Sequence, residues 1–292
     1  AYPKDEKDLQ ILIEFATSNH VTLIPRTAGT SLAGQCVGEG IIVDVSKHFT
    51  TILAFDELNK TITVEPGVVR DELNLFLKPF GLFFGPNTST SNRCMIGGMV
   101  GNNSSGSTSI RYGVTRDKVL QIDGVLSDGS LVSFKELTSK EFKLKTQIKS
   151  LEGSIYASIY NELSQELVQQ EIKNQFPKPS IHRRNTGYAV DELLDSDLFG
   201  GKDPSINIAK LLSGSEGTLV FSTAITLQLD TVQPKESVII ASHFESIKES
   251  LKATVLAMNH ELYACELMDK VILDCTKNNR EQAKNRFFIE GD

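Results

Sequence analysis

Residues Pro25-Arg26-Thr27-Ala28-Gly29-Thr30-Ser31-Leu32-Ala33-Gly34-Gln35 constrain this chain more than any other stretch. Seven of the eleven are Gly, Ala, Thr or Ser. The run follows Val21-Thr22-Leu23-Ile24 and leads to Ile41-Ile42-Val43-Asp44-Val45, both of which read as short buried strands. A small-residue turn between two strands lets backbone N–H groups converge with no side chains in the way. Such a concavity suits a pyrophosphate, and Thr30 and Ser31 add hydroxyl donors. Taken alone, the same residues also make an ordinary glycine-containing loop.

Two further segments share this character. One runs from Gly85 to Ser107 and holds Pro86, Ser91, Asn92, Gly97, Gly98, Asn102, Asn103 and Gly106. From Asn87 to Ser109 the chain is too polar and too small for a regular core element, apart from the apolar kernel Ile96-Gly97-Gly98-Met99-Val100, and predicts an irregular path that could pass under a ligand. The other is Leu212-Ser213-Gly214-Ser215-Glu216-Gly217-Thr218-Leu219. Glycines in these runs fit either close approach of backbone to a ligand or tight turns that need glycine for their own conformation.

Around them the chain alternates helix and strand patterns. Leu9, Leu12, Ile13 and Ala16 mark a helix over 5–19, and Val69, Leu73, Phe76 and Leu77 mark a second. Strand patterns occur at 61–64, 120–123, 131–134 and 219–229, with a hairpin turn at Ser127-Asp128-Gly129-Ser130. Residues 136–175 predict mostly helical, exposed structure. Gln233-Pro234 is the best domain boundary; beyond it a strand at Val238-Ile239-Ile240-Ala241 and an amphipathic helix carrying Ile247, Leu251, Val255 and Met258 open a new unit.

Composition narrows the function classes. A formal net charge of −7 and scattered basic residues argue against a nucleic-acid partner. No apolar run approaches the roughly 20 residues that span a bilayer, and the polar start Ala1-Tyr2-Pro3-Lys4 is no signal peptide. The four cysteines (Cys36, Cys94, Cys265, Cys275) form no C-x-x-C pair, so no metal site is expected and a reducing compartment is. Rossmann, P-loop and nucleophile-elbow signatures are missing. The expected location is cytoplasmic or peripheral to a membrane.

Across its three small-residue segments the chain resembles the flavin-binding domain of the vanillyl-alcohol oxidase / p-cresol methylhydroxylase (PCMH-type) family. Within it the resemblance points to the branch of D-lactate, glycolate and D-2-hydroxyglutarate dehydrogenases. The motifs stand in the family's order, and the likeness runs nearly continuously over about residues 3–230. It implies an α+β fold of two flavin-holding subdomains over residues 1–232, with 233–292 as the start of an α+β cap domain. The missing initiator Met and the end at Asp292 are read as marks of a fragment. FAD is the implied cofactor. Pro25, Arg26, Thr27, Ala28, Gly29, Thr30, Ser31 and Gln35 are expected at its pyrophosphate. Pro86, Ser91, Asn92, Gly97, Gly98, Asn102, Asn103, Gly106 and Ser107 are expected along its length, with Glu216 and Gly217 as a third contact. Covalent relatives carry His where this chain has Thr30, so non-covalent binding is expected. Ala28, Asn87 and Val220 depart from the usual Gly, Asp and Gly.

Ile181-His182-Arg183-Arg184-Asn185-Thr186-Gly187-Tyr188 resembles the R-x-T/S-G-Y segment of the hydroxy-acid branch, where an arginine clasps the substrate carboxylate in two places. Arg183 or Arg184 takes that role, with Thr186 and Tyr188 beside it and Lys210 as added charge. The implied reaction is oxidation of a D-2-hydroxy acid by hydride transfer to flavin. The electrons then pass to a quinone, an iron–sulfur domain or another carrier, any iron–sulfur cluster belonging to a longer parent. A flavin-binding fragment without turnover, or a relative acting on another alcohol, is the alternative. No H-P-x-G-D-G-N-x-H segment occurs, so the catalytic base and its metal are expected beyond residue 292.

Overall fold

The computed structural model of the chain describes residues 1–178, 180–181, 183–184 and 187–290. In chain order its elements are α1 (Glu6–Asn19), β1 (Leu23–Arg26), β2 (Ile41–Asp44), β3 (Ile52–Asp56), β4 (Thr61–Val64), α2 (Arg70–Leu77), β5 (Leu82–Phe83), α3 (Ile96–Gly101), α4 (Ser109–Tyr112), α5 (Thr115–Lys118), β6 (Val119–Val125) and β7 (Leu131–Thr138). There follow α6 (Ser139–Lys145), α7 (Leu151–Leu163), α8 (Glu166–Gln175), α9 (Val190–Leu193), β8 (Ser205–Asn207), α10 (Ala209–Leu212), β9 (Phe221–Gln228), β10 (Asp230–Thr231), α11 (Ile247–Ala257), α12 (Lys270–Lys277) and α13 (Arg280–Ala283). The fold is α+β.

A six-stranded antiparallel sheet in the order β3-β4-β9-β6-β7-β8 forms the main layer. Strand β9 is inserted between β4 and β6, so the sheet closes only when a segment near residue 225 returns to strands laid down before residue 126. Its alternation explains the insertion: Thr223, Ile225 and Leu227 are buried. Ile225 sits opposite Val64 on one side and Ile122 on the other, and Leu227 sits opposite Ile62 and Val119. These six apolar side chains make one continuous row of cross-strand contacts.

Helices α6, α7 and α8 add Phe142, Tyr156, Leu163 and Ile172 to this core. Phe142 meets Tyr156 edge to face at 4.9 Å, and Tyr156 lies 6.1 Å from Phe134 of β7. The expectation of an exposed helical stretch over 136–175 is thereby corrected: residues 136–138 still belong to β7, and one face of each helix is buried. The polar composition that suggested exposure belongs to the outer faces.

A second, smaller cluster lies under α1, where Leu9 and Ile13 pack with Val43, Val45, Phe49 and Val125. Asp5 caps this helix by accepting from the Asp8 backbone N–H at 3.0 Å. Glu6 accepts from the Thr223 hydroxyl at 2.8 Å and Gln10 donates to the Gly129 carbonyl at 2.7 Å, docking α1 on the main sheet. The parallel pair β1–β2 emerges from this cluster and aims its following loop at the rest of the molecule.

Two further expectations change. The segment 87–109 is not wholly irregular, because its apolar kernel winds into α3, burying Ile96, Met99 and Val100. The strand expected at Val238–Ala241 does not form. Val238, Ile239 and Ile240 are 87%, 94% and 83% exposed, and among the described residues no neighbouring strand offers them backbone partners. No helix among the described residues is long and apolar enough to cross a membrane.

Candidate cofactor site

The loop after β1, the segment from Thr88 through α3, and the turn after α10 converge on a cavity of about 480 Å³. This volume falls in the roughly 300–1,000 Å³ range of small-molecule sites. Backbone bonds hold the three walls in place. The N–H of Gly214 donates to the Val100 carbonyl, and that of Glu216 to the Gly101 carbonyl, both at 2.9 Å, tying the third segment to the end of α3. At the other end of α3, the N–H of Gly97 donates to the Pro66 carbonyl at 2.8 Å.

Two glycines show why the walls need small residues. A Cβ on Gly98 would lie 2.6 Å from the Thr27 hydroxyl, and one on Gly217 would lie 2.6 Å from Cγ of Pro25. Gly217 also has φ +73, where other residues are strained. Each of these two glycines therefore serves the approach of one wall to another.

Charge is sparse. Among the described residues, Arg26 and Glu216 are the only charged side chains on the cavity wall. Nε of Arg26 is buried and has no hydrogen-bond acceptor, although Asp44 lies 3.8 Å away. Among the described residues, the backbone N–H groups of Ala28 to Leu32 also donate to no other protein group. A cation and a row of open donors in a small-residue loop are complementary to an anionic group. Glu216 sits at φ 54, and partial burial pushes its carboxyl above the usual range, opposed by a hydrogen bond from Gln35. Gln35 in turn accepts from the Ser31 hydroxyl. Cys94, Met99, Val100 and Val220 supply apolar wall.

Of the residues picked from sequence, Pro25, Arg26, Thr27, Gly29, Thr30, Ser31, Gln35, Gly97, Gly98, Asn102, Glu216 and Gly217 line this cavity. Ala28 does not, and it keeps a negative φ. Pro86, Ser91, Asn92, Asn103, Gly106 and Ser107 lie off the wall. The Pro86 carbonyl accepts from Arg70 Nε at 2.9 Å, and the Ser91 hydroxyl donates to Asp71 at 2.9 Å, so both anchor the second segment to α2. Gly106 and Ser107 pack on Asn87, whose amide donates to the Ser107 hydroxyl. Asn92 is exposed beside Arg93. Asn103 is 1% exposed and accepts from the Arg116 backbone N–H at 2.8 Å.

The two arginines of the 181–188 segment part company. Arg184 is ion-paired with Asp191 and Glu192, which occupies its guanidinium. Arg183 is exposed, and its Nε donates to the hydroxyl of Ser105, on the cavity wall, at 3.2 Å. The Tyr188 hydroxyl meets that of Thr218 at 2.8 Å, at the rim of the third segment. Thr186 and His182 lie outside the described residues. Lys210 does not add charge here. Its ammonium donates to the Arg116 carbonyl at 3.1 Å, and burial lowers its pKa.

Sequence reasoning missed Arg70 and Arg116. Both sit among other charged residues, a pattern that reads as a solvated surface, yet each is a fork donating to backbone carbonyls.

Residues 1–135 match the family model FAD_binding_4, described as an FAD binding domain. This stretch, a little under half of the chain, is similar to an FAD binding domain. Similar full-length proteins include the D-2-hydroxyglutarate dehydrogenase of Pantoea ananatis, 30% identical over 281 residues, covering 95% of this chain and 26% of that protein. The enzyme of the same name from Pseudomonas putida is 33% identical over 253 residues, covering 87% and 24%. The chain thus spans about a quarter of the length of these curated relatives. Among solved structures, alkyldihydroxyacetonephosphate synthase superposes with a TM-score of 0.50 at 18% identity, over 81% of this chain and 32% of that one. Beyond the matched residues, β9 joins the same sheet and the 213–217 turn lines the same cavity. The orphaned Arg26 Nε and the open donors of the first segment fit the diphosphate of FAD, and the apolar walls fit its ring.

Proposed function

We propose that this chain is the flavin-holding part of an FAD-dependent dehydrogenase that oxidises a D-2-hydroxy acid such as D-2-hydroxyglutarate, D-lactate or glycolate. One observation carries the reading: three small-residue segments, far apart in sequence, meet around one cavity in which Arg26 is the only cation on the wall among the described residues. The relatives' name, D-2-hydroxyglutarate dehydrogenase, supports the substrate class.

Bound FAD supplies the hydride acceptor, N5 of its isoalloxazine. Arg26, Ala28, Gly29, Thr30 and Ser31 hold the diphosphate through the guanidinium, the backbone N–H groups and the hydroxyls. Pro25, Thr27, Gly97, Gly98, Asn102 and Gly217 shape the walls, and Gln35 with Glu216 closes one side. Pro86, Ser91, Asn92, Asn103, Gly106 and Ser107 keep the second segment in its path. Thr30 offers no ring nitrogen for a covalent link, so the cofactor dissociates. Arg183 takes the substrate carboxylate at the lip beside Ser105, with Thr186 and Tyr188 as its hydrogen-bonding neighbours, and Arg184 fixes the segment that carries it. Residues 1–232 form the flavin unit and 233–292 the opening of a substrate-covering unit. The electrons leave for a quinone, an iron–sulfur domain or another carrier, and the protein works in the cytoplasm or at a membrane surface.

The test is an absorbance spectrum of the purified chain after incubation with FAD and gel filtration, followed by anaerobic addition of D-2-hydroxy acids. Retained flavin bands are expected, with bleaching by the acids in a chain long enough to include the covering unit. A folded chain that retains no flavin at large excess, alone and within its longer parent, would overturn the reading.

A further inference from the structure

The geometry points to Arg116 as a positioning residue that locks two of the three cavity walls to each other. Arg116 lies in the short helix α5, is 3% exposed, and is not on the cavity wall. Nε donates to the carbonyls of Lys210 and Ser213 at 3.1 Å each, and a terminal nitrogen donates to the Ser213 carbonyl at 2.7 Å. Those carbonyls end α10 and begin the turn that carries Gly214, Glu216 and Gly217. On its backbone side, the Arg116 N–H donates to Oδ1 of Asn103, immediately after α3. One residue therefore grips the second segment by its main chain and the third by its side chain.

The grip is specific to a guanidinium. Arg116 presents a planar fork to one carbonyl while Nε also reaches a second, whereas a lysine ammonium is a point donor. The site is tight, because Nη2 of Arg116 lies 2.8 Å from where a Cβ on Gly214 would stand. Lys210 returns the contact by donating to the Arg116 carbonyl, so the two cations bracket the joint reciprocally. The cost of burying the charge shows in a pKa that desolvation lowers, with Glu192 opposing. Hydrogen bonds from a charged donor are about twice as strong as neutral ones, enough to hold a glycine-rich turn that has few apolar anchors. The wall bonds from Gly214 to Val100 and from Glu216 to Gly101 are those Arg116 holds in register.

The inference deepens the flavin reading only in naming the ligand; the wall itself is tested without flavin. Amide hydrogen exchange at Gly214 and Glu216 is measured in the unsubstituted chain, in Arg116→Lys and Arg116→Met, and in Phe142→Leu as a control that loosens the core away from the cavity. Arg116→Lys keeps charge and length, so it reports even where Arg116→Met fails to fold. Exchange about tenfold faster at both amides is expected in the Arg116 variants, the scale of one lost charged hydrogen bond. Phe142→Leu should speed exchange in α6 and α7 instead. FAD titration of the same proteins should show about tenfold weaker binding for Arg116→Lys, restored by no change elsewhere, and near-native affinity for Phe142→Leu. Native exchange rates at Gly214 and Glu216 in Arg116→Lys, or equal acceleration there in Phe142→Leu, would overturn the positioning role. Failure of the unsubstituted sequence to bind FAD, both alone and within its longer parent, would overturn the flavin reading and leave the exchange comparison to decide Arg116.

Discussion

Residues 1–230 and 231–290 obey different rules. The first region buries residues from five of the six strands of its main sheet, the edge strand β3 being only half-buried, and even its glycine-rich loops are pinned by side chains such as Arg70, Asn87 and Arg116. In the second, no described residue is buried, although its helices are as well capped: Ser246 accepts from the Glu249 N–H and Asp269 from the Ile272 N–H. Its apolar residues point outward, with Phe287 89% and Val255 69% exposed. The contacts with the first region include the Val232 N–H on the Gly81 carbonyl, the pairing of Thr231 with Leu82, the ion pair of Arg111 with Glu261, and the Tyr263 ring against Arg111 and Tyr112. The difference teaches that local helix signals suffice to wind α11 and α12, whereas the strand at 238–241 needed a neighbour and went without one.

The comparison is most easily broken in the core. Phe142→Ala should cost about 4 kcal/mol, because the side chain is fully buried against Tyr156; denaturant titration reads this, and a loss under about 1 kcal/mol would show a looser core than described. Next come the paired arginines. Arg184→Gln should destabilise by about 3 kcal/mol by stranding Asp191 and Glu192, whereas Arg183→Gln should leave the denaturation midpoint unchanged and weaken only hydroxy-acid binding. Equal loss of stability in both variants would erase the distinction between clamp and ligand.

Gly98→Val should weaken FAD retention about tenfold, or about 1.4 kcal/mol, by pushing Thr27 off α3; fluorescence titration of FAD measures it. A smaller effect belongs to Glu216. Burial raises the pKa of its carboxyl above the ordinary glutamate value, so the fold favours its protonated form. The stability this contributes is full below that value and is lost as pH rises through the raised one. Glu216→Gln should flatten that part of a thermal-stability-versus-pH curve, and an unchanged curve would count against burial of the carboxyl. At the bottom of the scale, Ile240→Asp in the second region should shift stability by no more than about 0.5 kcal/mol, because the side chain is already 83% exposed; a large loss by the same titration would mean that this segment packs.

Much of this was legible from residue order alone. Apolar spacing predicted α1 and α2 to within a residue or two, since an amphipathic helix needs only its own period and a cap such as Asp5. The three small-residue runs announced the cavity because few other uses exist for so many glycines and hydroxyls between strands. Period and composition could not tell which of them face the cavity and which hold it from behind, since Ser91 and Ser31 look alike until Asp71 is found beside the first and Gln35 beside the second.

Helix positions, strand alternation and the small-residue character of the walls follow from short-range chemistry, and the order of residues is enough to dictate them. Long-range closure decided the rest: the insertion of β9 between β4 and β6, the burial of Arg116 under a turn almost one hundred residues away, and the parting of Arg183 from its neighbour Arg184. Each depends on which surfaces meet once the sheet has formed, and a guanidinium reads the same in sequence whether it finds a carbonyl, a carboxylate or water.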